Sequence, residues 1–336
     1  MAVLTCAPPA AAQVRGDERV DVARVLVDVR VTDAQGRPIL GLGTGDFEVA
    51  LEGRPARIEW AEWVGEGARP GTNGSSTEPA QTAALTERGR LLVFFFQKDF
   101  STNRIEGTLR MMREATRFVA RLGPDDRAAV VVFDSRLRLL ADFTGDRKRL
   151  QTLLSTGILS AAHPEIRVDA EGLRWKEEAA RRAASPEQAL EVLAEALAPI
   201  PRAKSLVLFG FGFGDFRAPT GDLQHSYAAL DDRYQAARTA MIRARVTVFA
   251  LDVTQADFHT LETGLMTVAD DTGGFYSRTH DFPATAMSRL ERALEGHYVL
   301  AVERPARTGS IGRRHEISVS TRARGARVHA RRYYID

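Results

Sequence analysis

Apolar and polar positions alternate along Val25-Leu26-Val27-Asp28-Val29-Arg30-Val31-Thr32, a period of two that predicts a strand with one face buried. Asp33 to Pro38 then supplies turn chemistry. The alternation returns at Phe47 to Leu51 and Ile58 to Trp60, on either side of Glu52-Gly53-Arg54-Pro55, which reads as another turn. Trp60 and Trp63 are expected as core or interface anchors of this β unit. Residues 66–88 are rich in Gly, Pro, Ser, Thr and Asn without periodicity, a composition that predicts a flexible linker.

Beyond residue 89 the period changes. Leu91-Leu92-Val93-Phe94-Phe95-Phe96 is a continuous apolar run, as a parallel strand buried on both faces requires. Ile105 to Leu122 follows at helical spacing, and Ala128 to Phe133 is the next buried strand, so the three form a βαβ unit. Leu137 to Ala141 reads as an edge strand, Arg147 to Leu154 as a helix, and Pro186 to Leu197 as a helix with Ser185 as N-cap. Ser205 to Phe209 and Val246 to Leu251 are further buried strands, with an amphipathic stretch from Tyr227 to Ala244 between them. A helix over Leu261 to Asp271, a strand over Gly274 to Ser277 and a helix over Ala284 to Leu294 complete an open doubly wound, mostly parallel α/β sheet.

After Gly296 the period of two resumes at Tyr298 to Val302, His315 to Val319 and Ala326 to Ala330. A few strands alone bury too little area to be stable. The expected organisation is therefore an N-terminal β segment (19–65), the linker (66–88), an α/β domain (89–296) and a C-terminal β segment (297–336). The two β segments are expected to pack into one sandwich-like unit.

A hydrophobic content of 44% supports a globular core, and 46 basic against 44 acidic residues leave a net charge of only +2. That balance argues against a nucleic-acid partner, and the strand alternation is expected to place Arg331 and Arg332 on the solvent side. The single cysteine, Cys6, excludes an internal disulfide framework and a Cys-based zinc site. Residues 1–18 run from small apolar residues into an Ala-x-Ala pattern. They read as the remnant of a secretory signal, implying export with the start codon placed late. Val3-Leu4-Thr5-Cys6 also allows a poor lipidation box. No stretch reaches the roughly 20 apolar residues of a membrane span.

Candidate chemistry lies where open α/β sheets place it, beyond the carboxyl ends of the central strands. Those ends read Gln97-Lys98-Asp99-Phe100-Ser101-Thr102-Asn103 and Gly210-Phe211-Gly212-Phe213-Gly214-Asp215. Gly210-x-Gly212-x-Gly214 lacks the Gly-x-Gly-x-x-Gly spacing and follows a late strand, so a tight turn is expected rather than a nucleotide site. The seven histidines form no zinc-binding helix and no Gly-x-Ser-x-Gly elbow occurs.

Several further patterns accumulate along the chain: Val27-Asp28-Val29-x-Val31-Thr32-Asp33-x-x-Gly36-Arg37-Pro38, Gly43-x-x-Asp46-Phe47-Glu48-Val49, Asp126-Arg127-x-Ala129-Val130, Val246-x-Val248-x-Ala250-x-Asp252, Ala269-x-x-Thr272-Gly273-Gly274, and the closing Tyr298-x-Leu300 and Val328-x-Ala330-Arg331-Arg332-x-Tyr334. With these the chain resembles the von Willebrand factor A family, in particular the related bacterial proteins known mainly from Acidobacteria. The resemblance implies a metal-ion-dependent adhesion site, in which an Asp-x-Ser-x-Ser loop and distant Thr and Asp residues hold Mg²⁺ through hard oxygen ligands.

Here Gln97 takes the first Asp position, Asp99 the second and Ser101 the third, Phe211 stands where the family places its distant Asp, and Asp215 follows four residues later. With a neutral amide in place of the leading carboxylate and Lys98 beside it, no metal cofactor is expected. Gln97 and Asp99 are expected to cap the following helix instead. If Mg²⁺ is held, its ligands would be Asp99, Ser101 and Asp215. The reading is a non-enzymatic, exported interaction or adhesion module of the cell envelope. Its ligand-binding loops carry Gln97, Asp99, Ser101, Thr102, Phe211 and Asp215, with the 163–174 loop adding recognition surface for a protein partner. The alternatives are a metal-dependent enzyme using Asp99 and Asp215, and a purely structural part of an envelope assembly.

Overall fold

The computed structural model describes residues 24–65, 89–160, 172–174, 176–217, 227–304 and 312–336. The signal-like segment with Cys6, the 66–88 linker and most of the 163–174 loop lie outside them.

A six-stranded sheet forms the centre. It contains β5 (Leu91–Gln97), β6 (Arg127–Phe133), β7 (Leu137–Thr144), β8 (Lys204–Gly210), β11 (Val246–Asp252) and β12 (Phe275–Arg278), in the order β12-β11-β8-β5-β6-β7. All neighbours are parallel except the edge pair β6 and β7. Numbered within the sheet this is 3-2-1-4-5-6, the doubly wound pattern. The apolar run of β5 serves both faces. Val93 and Phe95 join one core with the helices α3 (Glu177–Arg182), α4 (Pro186–Leu197), α5 (Asp232–Arg243) and α6 (Glu262–Thr272). Leu92, Phe94 and Phe96 join the other, with α1 (Thr102–Ala120), α2 (Arg147–Thr152) and α7 (Pro283–Ala293). Ser185 caps α4, its hydroxyl accepting the Gln188 N–H at 3.3 Å.

The β segments from both ends share two four-stranded sheets. One runs β15 (Arg327–Ala330), β1 (Arg24–Thr32), β13 (Gly296–Glu303) and β4 (Ile58–Gly65). The other runs β16 (Tyr333–Ile335), β14 (Arg314–Thr321), β2 (Phe47–Leu51) and β3 (Arg54–Ala56). N-terminal β1 pairs with C-terminal β13 from Arg24–Glu303 to Val29–Tyr298, and β14 pairs with β2. Val27, Val29 and Val31 point into a core shared with Phe47, Tyr298 and Ile317. Asp28 and Arg30 therefore face the other way, onto the α/β domain, where Arg30 Nε donates to Ala293 O at the end of α7 at 3.1 Å and its Nη1 to Thr247 Oγ1 on β11 at 3.3 Å.

Three local readings change. The turn read at residues 52–55 includes β3, which adds a sheet edge after a two-residue reversal at Glu52 and Gly53, both in left-handed backbone. Tyr227–Ala229, read as the start of an amphipathic helix, is instead β10, paired antiparallel with β9 (Asp215–Arg217). Arg331, expected on the solvent side, turns inward: its Nη2 donates to Leu26 O at 2.6 Å and its Nη1 to Ile242 O at 3.2 Å. Burial pushes its guanidinium down to about 10. Arg332 does remain outside, paired with Asp270.

Candidate functional site

Because β5, β8, β11 and β12 are parallel neighbours, their carboxyl ends line one crest of the sheet. Gln97 closes β5 and is buried. Its Nε2 donates to Gly212 O at 2.8 Å and its Oε1 accepts the Phe211 N–H at 3.1 Å. The amide is thus spent tying the first loop to the loop after β8. Gly212 needs to be glycine there: its φ is +102° and an added Cβ would sit 2.1 Å from Leu261 O. Gly214 is also held in left-handed backbone, at φ +115°, while Gly210 lies against the Gln97 side chain.

Asp99 forms the turn into α1. One carboxylate oxygen accepts the Ser101 N–H at 2.7 Å and the other accepts from Arg104 Nη1. Ser101 holds the N-cap position without a side-chain cap bond, and Thr102 opens the helix. Burial pushes the Asp99 carboxyl up, yet the bonds from Ser101 and Arg104 prevail and hold it below its ordinary value. The Arg104 guanidinium carbon also lies 4.0 Å from the Phe211 ring centroid. Asp215 instead belongs to the β9–β10 hairpin, where it accepts from Arg233 Nη2 at 2.8 Å and stands 3.8 Å from Arg217. The structure thus joins Gln97 directly to Phe211, and Asp99 to Phe211 through Arg104. It takes Asp215 into a separate ion pair.

Two groups of carboxylates and histidine have ligand atoms within 4.8 Å of one another among the described residues: Asp252, His259 and Glu262, and Asp257, His280 and Asp281. Neither contains Asp99 or Asp215. In the first, Asp252 and Glu262 are buried and His259 half-buried, and the carboxylates are already met by the chain's own donors. His259 Nε2 lies 2.7 Å from Asp252 Oδ2, and the Tyr276 hydroxyl lies 2.9 Å from the same oxygen and 2.7 Å from Glu262 Oε2. Arg278 grips both oxygens of Glu262, at 2.9 and 3.0 Å. Burial and the two adjacent carboxylates push the Tyr276 hydroxyl far up, and the bonds to Glu262 push the Arg278 guanidinium up. This network ties the carboxyl ends of β11 and β12 to the start of α6, at the crest itself. Sequence reasoning missed it and missed Arg104. Asp252 was in view as the end of a strand motif, and Arg104 lies in the first turn of α1, five residues past Asp99.

No protein-family model matches the chain, and no curated protein matches it in sequence. Among solved structures it is similar to a von Willebrand factor type A protein from Catenulispora acidiphila, with 10% identity and a TM-score of 0.39 over 94% of this chain and 75% of that one. It is also similar to BatB from Bacteroides thetaiotaomicron, with 13% identity and a TM-score of 0.37 over 61% of this chain and 98% of that one. An aerotolerance-related membrane protein from Bacteroides fragilis gives 11% identity and a TM-score of 0.38 over the same shares, 61% and 98%. No helix among the described residues is long and apolar enough to cross a membrane.

Proposed function

We propose that the chain is a non-catalytic, von Willebrand factor A-like interaction module of the cell envelope, which recognises a protein partner at its crest without a metal ion. The observation that carries this reading is the placement of Arg104, whose guanidinium lies against both the Asp99 carboxylate and the Phe211 ring. A fixed cation there meets the charge that a divalent ion would otherwise supply, and Gln97 and Phe211 add no negative ligand. The loop motifs that resemble the family, and the doubly wound strand order, support the same reading.

The test pairs two measurements on the full chain. Calorimetric titration with Mg²⁺ or Mn²⁺ is expected to give no saturable heat, and tight binding abolished by Asp99→Ala would overturn the metal-free reading. Capture of envelope proteins is expected to be lost in Phe100→Ala and Phe211→Asp. Unchanged capture by both would move the partner away from the crest.

A further inference from the structure

The dipeptide Asp-Phe occurs six times in this chain, at 46–47, 99–100, 142–143, 215–216, 257–258 and 281–282. Phe47 and Phe143 are buried. The other four, Phe100, Phe216, Phe258 and Phe282, are 67, 55, 73 and 72% exposed, and they are the large exposed aromatics among the described residues. Each follows the carboxyl end of a different strand, β5, β8, β11 or β12, and these four strands are consecutive neighbours in the sheet. At about 4.8 Å between strands, their ends span only about 14 Å. The loops are also tied to each other: Gln255 N donates to Asn103 O at 2.8 Å, and His280 Nε2 lies 3.2 Å from Asp257 and 3.1 Å from Asp281.

Exposed phenyl rings gathered in one place mark an interaction surface, and the charges around them indicate its partner. The basic groups of these loops are each paired with a carboxylate, including Arg217 beside Phe216, which stands 3.8 Å from Asp215. Lys98 is buried between Asp134 and the Phe100 ring, Arg104 holds Asp99, Arg233 holds Asp215, and Arg278 holds Glu262. The most exposed charge is a carboxylate: the Asp257 side chain is 96% exposed and the Asp281 side chain 62%, against 59% for Arg217.

We infer that the repeated Asp-Phe pairs form a docking surface for a basic, apolar segment of a protein partner. The phenyl rings take its apolar side chains and the faces of its Lys or Arg side chains, and Asp257 and Asp281 take its charge. A lipid surface fits less well, because every ring that entered it would bring a carboxylate along. The inference rests on the crest being the partner-binding face and adds the sign of charge and the chemistry that this face selects.

The experiment is selection from a random displayed-peptide library on the full chain, followed by titration of the enriched peptides. Phe258→Ser, Phe282→Ser and the pair Asp257→Lys/Asp281→Lys are titrated alongside, with thermal melting to confirm that these exposed positions leave the fold intact. Enriched peptides are expected to join Lys or Arg to Leu, Phe or Trp. Their affinity is expected to fall on the order of tenfold for each Phe variant and for the charge-reversed pair, and to weaken with salt. The inference is overturned by acidic peptides, by no enrichment, by binding indifferent to these variants, or by phosphatidylglycerol vesicles that bind the wild type and not the Phe variants. If the Phe variants lose the native envelope partner while Asp257→Lys/Asp281→Lys retains it, only the charge assignment fails. If every crest variant retains that partner, the proposed function itself fails.

Discussion

Arg104 stacks on Phe211, its guanidinium carbon 4.0 Å from the ring centroid, while its Nη1 holds the Asp99 carboxylate. The pairing sets a guanidinium cation between the two strand-end loops that carry Asp99 and Phe211. Removing the arginine and restoring a carboxylate reverses the balance of charge. The double variant Arg104→Ser/Phe211→Asp is therefore expected to bind Mn²⁺ saturably in a calorimetric titration, and Phe211→Asp alone is not, because Arg104 then pairs with the new carboxylate. Saturable binding by the single variant would show that Arg104 is no obstacle.

How far the sequence already reported this arrangement depends on the kind of signal. The strand at Leu91–Gln97 was legible because both of its faces are buried, so a continuous apolar run suffices. The joining of the two terminal β segments followed from two short amphipathic segments that each needed a partner, whereas the strand pairing of β1 with β13 is seen only in the structure. The hairpin of β9 and β10 escaped because three-residue strands carry no period. Arg331 was misplaced because alternation fixes a face of the strand but not what covers that face: the side chain points to the α/β domain, not to water. Gln97 was expected to cap the following helix, but its bonds go to the neighbouring loop rather than to a helix end. Arg104 gave no signal, since one more arginine on an arginine-rich helix is ordinary until its partners are seen.

Asp28 and Arg245, 217 residues apart, form a largely buried ionic contact between the sandwich and the α/β domain, with Arg245 Nη2 2.5 Å from Asp28 Oδ1 and His297 Nε2 3.3 Å from the same oxygen. Both partners are largely buried, so Asp28→Ala strands the arginine and is expected to cost roughly 3–5 kcal/mol in denaturant unfolding. Burial pushes the Asp28 carboxyl up, but Arg245 and His297 prevail and hold it well below its ordinary value. The group's contribution is thus present above about 3.9, the unfolded value, and is lost as pH falls through the lower folded value. Asp28→Ala is expected to flatten the acid limb of the stability profile. An unchanged limb would assign acid sensitivity elsewhere.

Gly107 lies in the middle of α1, where Gly→Ala ordinarily stabilises a helix by about 1 kcal/mol. Here a Cβ would fall 1.8 Å from Val253 O, backbone of the loop after β11. The expected sign reverses: Gly107→Ala lowers the thermal midpoint, because helix and loop must separate. A raised midpoint would mean that α1 does not press on the crest so closely.

Lys204 opens β8, is almost wholly buried and donates through Nζ to Ile200 O at 2.6 Å and Leu197 O at 3.3 Å, closing the carboxyl end of α4. Burial, with Arg245 nearby, pushes its ammonium down to about 7, whereas the unfolded chain keeps a value of about 10.4. Between these two values the unfolded state binds a proton that the folded state does not, so stability rises with pH across that window. The gain is complete above the unfolded value and disappears as pH falls toward 7. Lys204→Met keeps the length of the side chain and removes the titration. Denaturant unfolding of the wild type between pH 7 and 9 should therefore show a positive slope that the variant lacks. Equal slopes in the two proteins would mean that Lys204 keeps its proton in the folded state, held by the two carbonyls it caps.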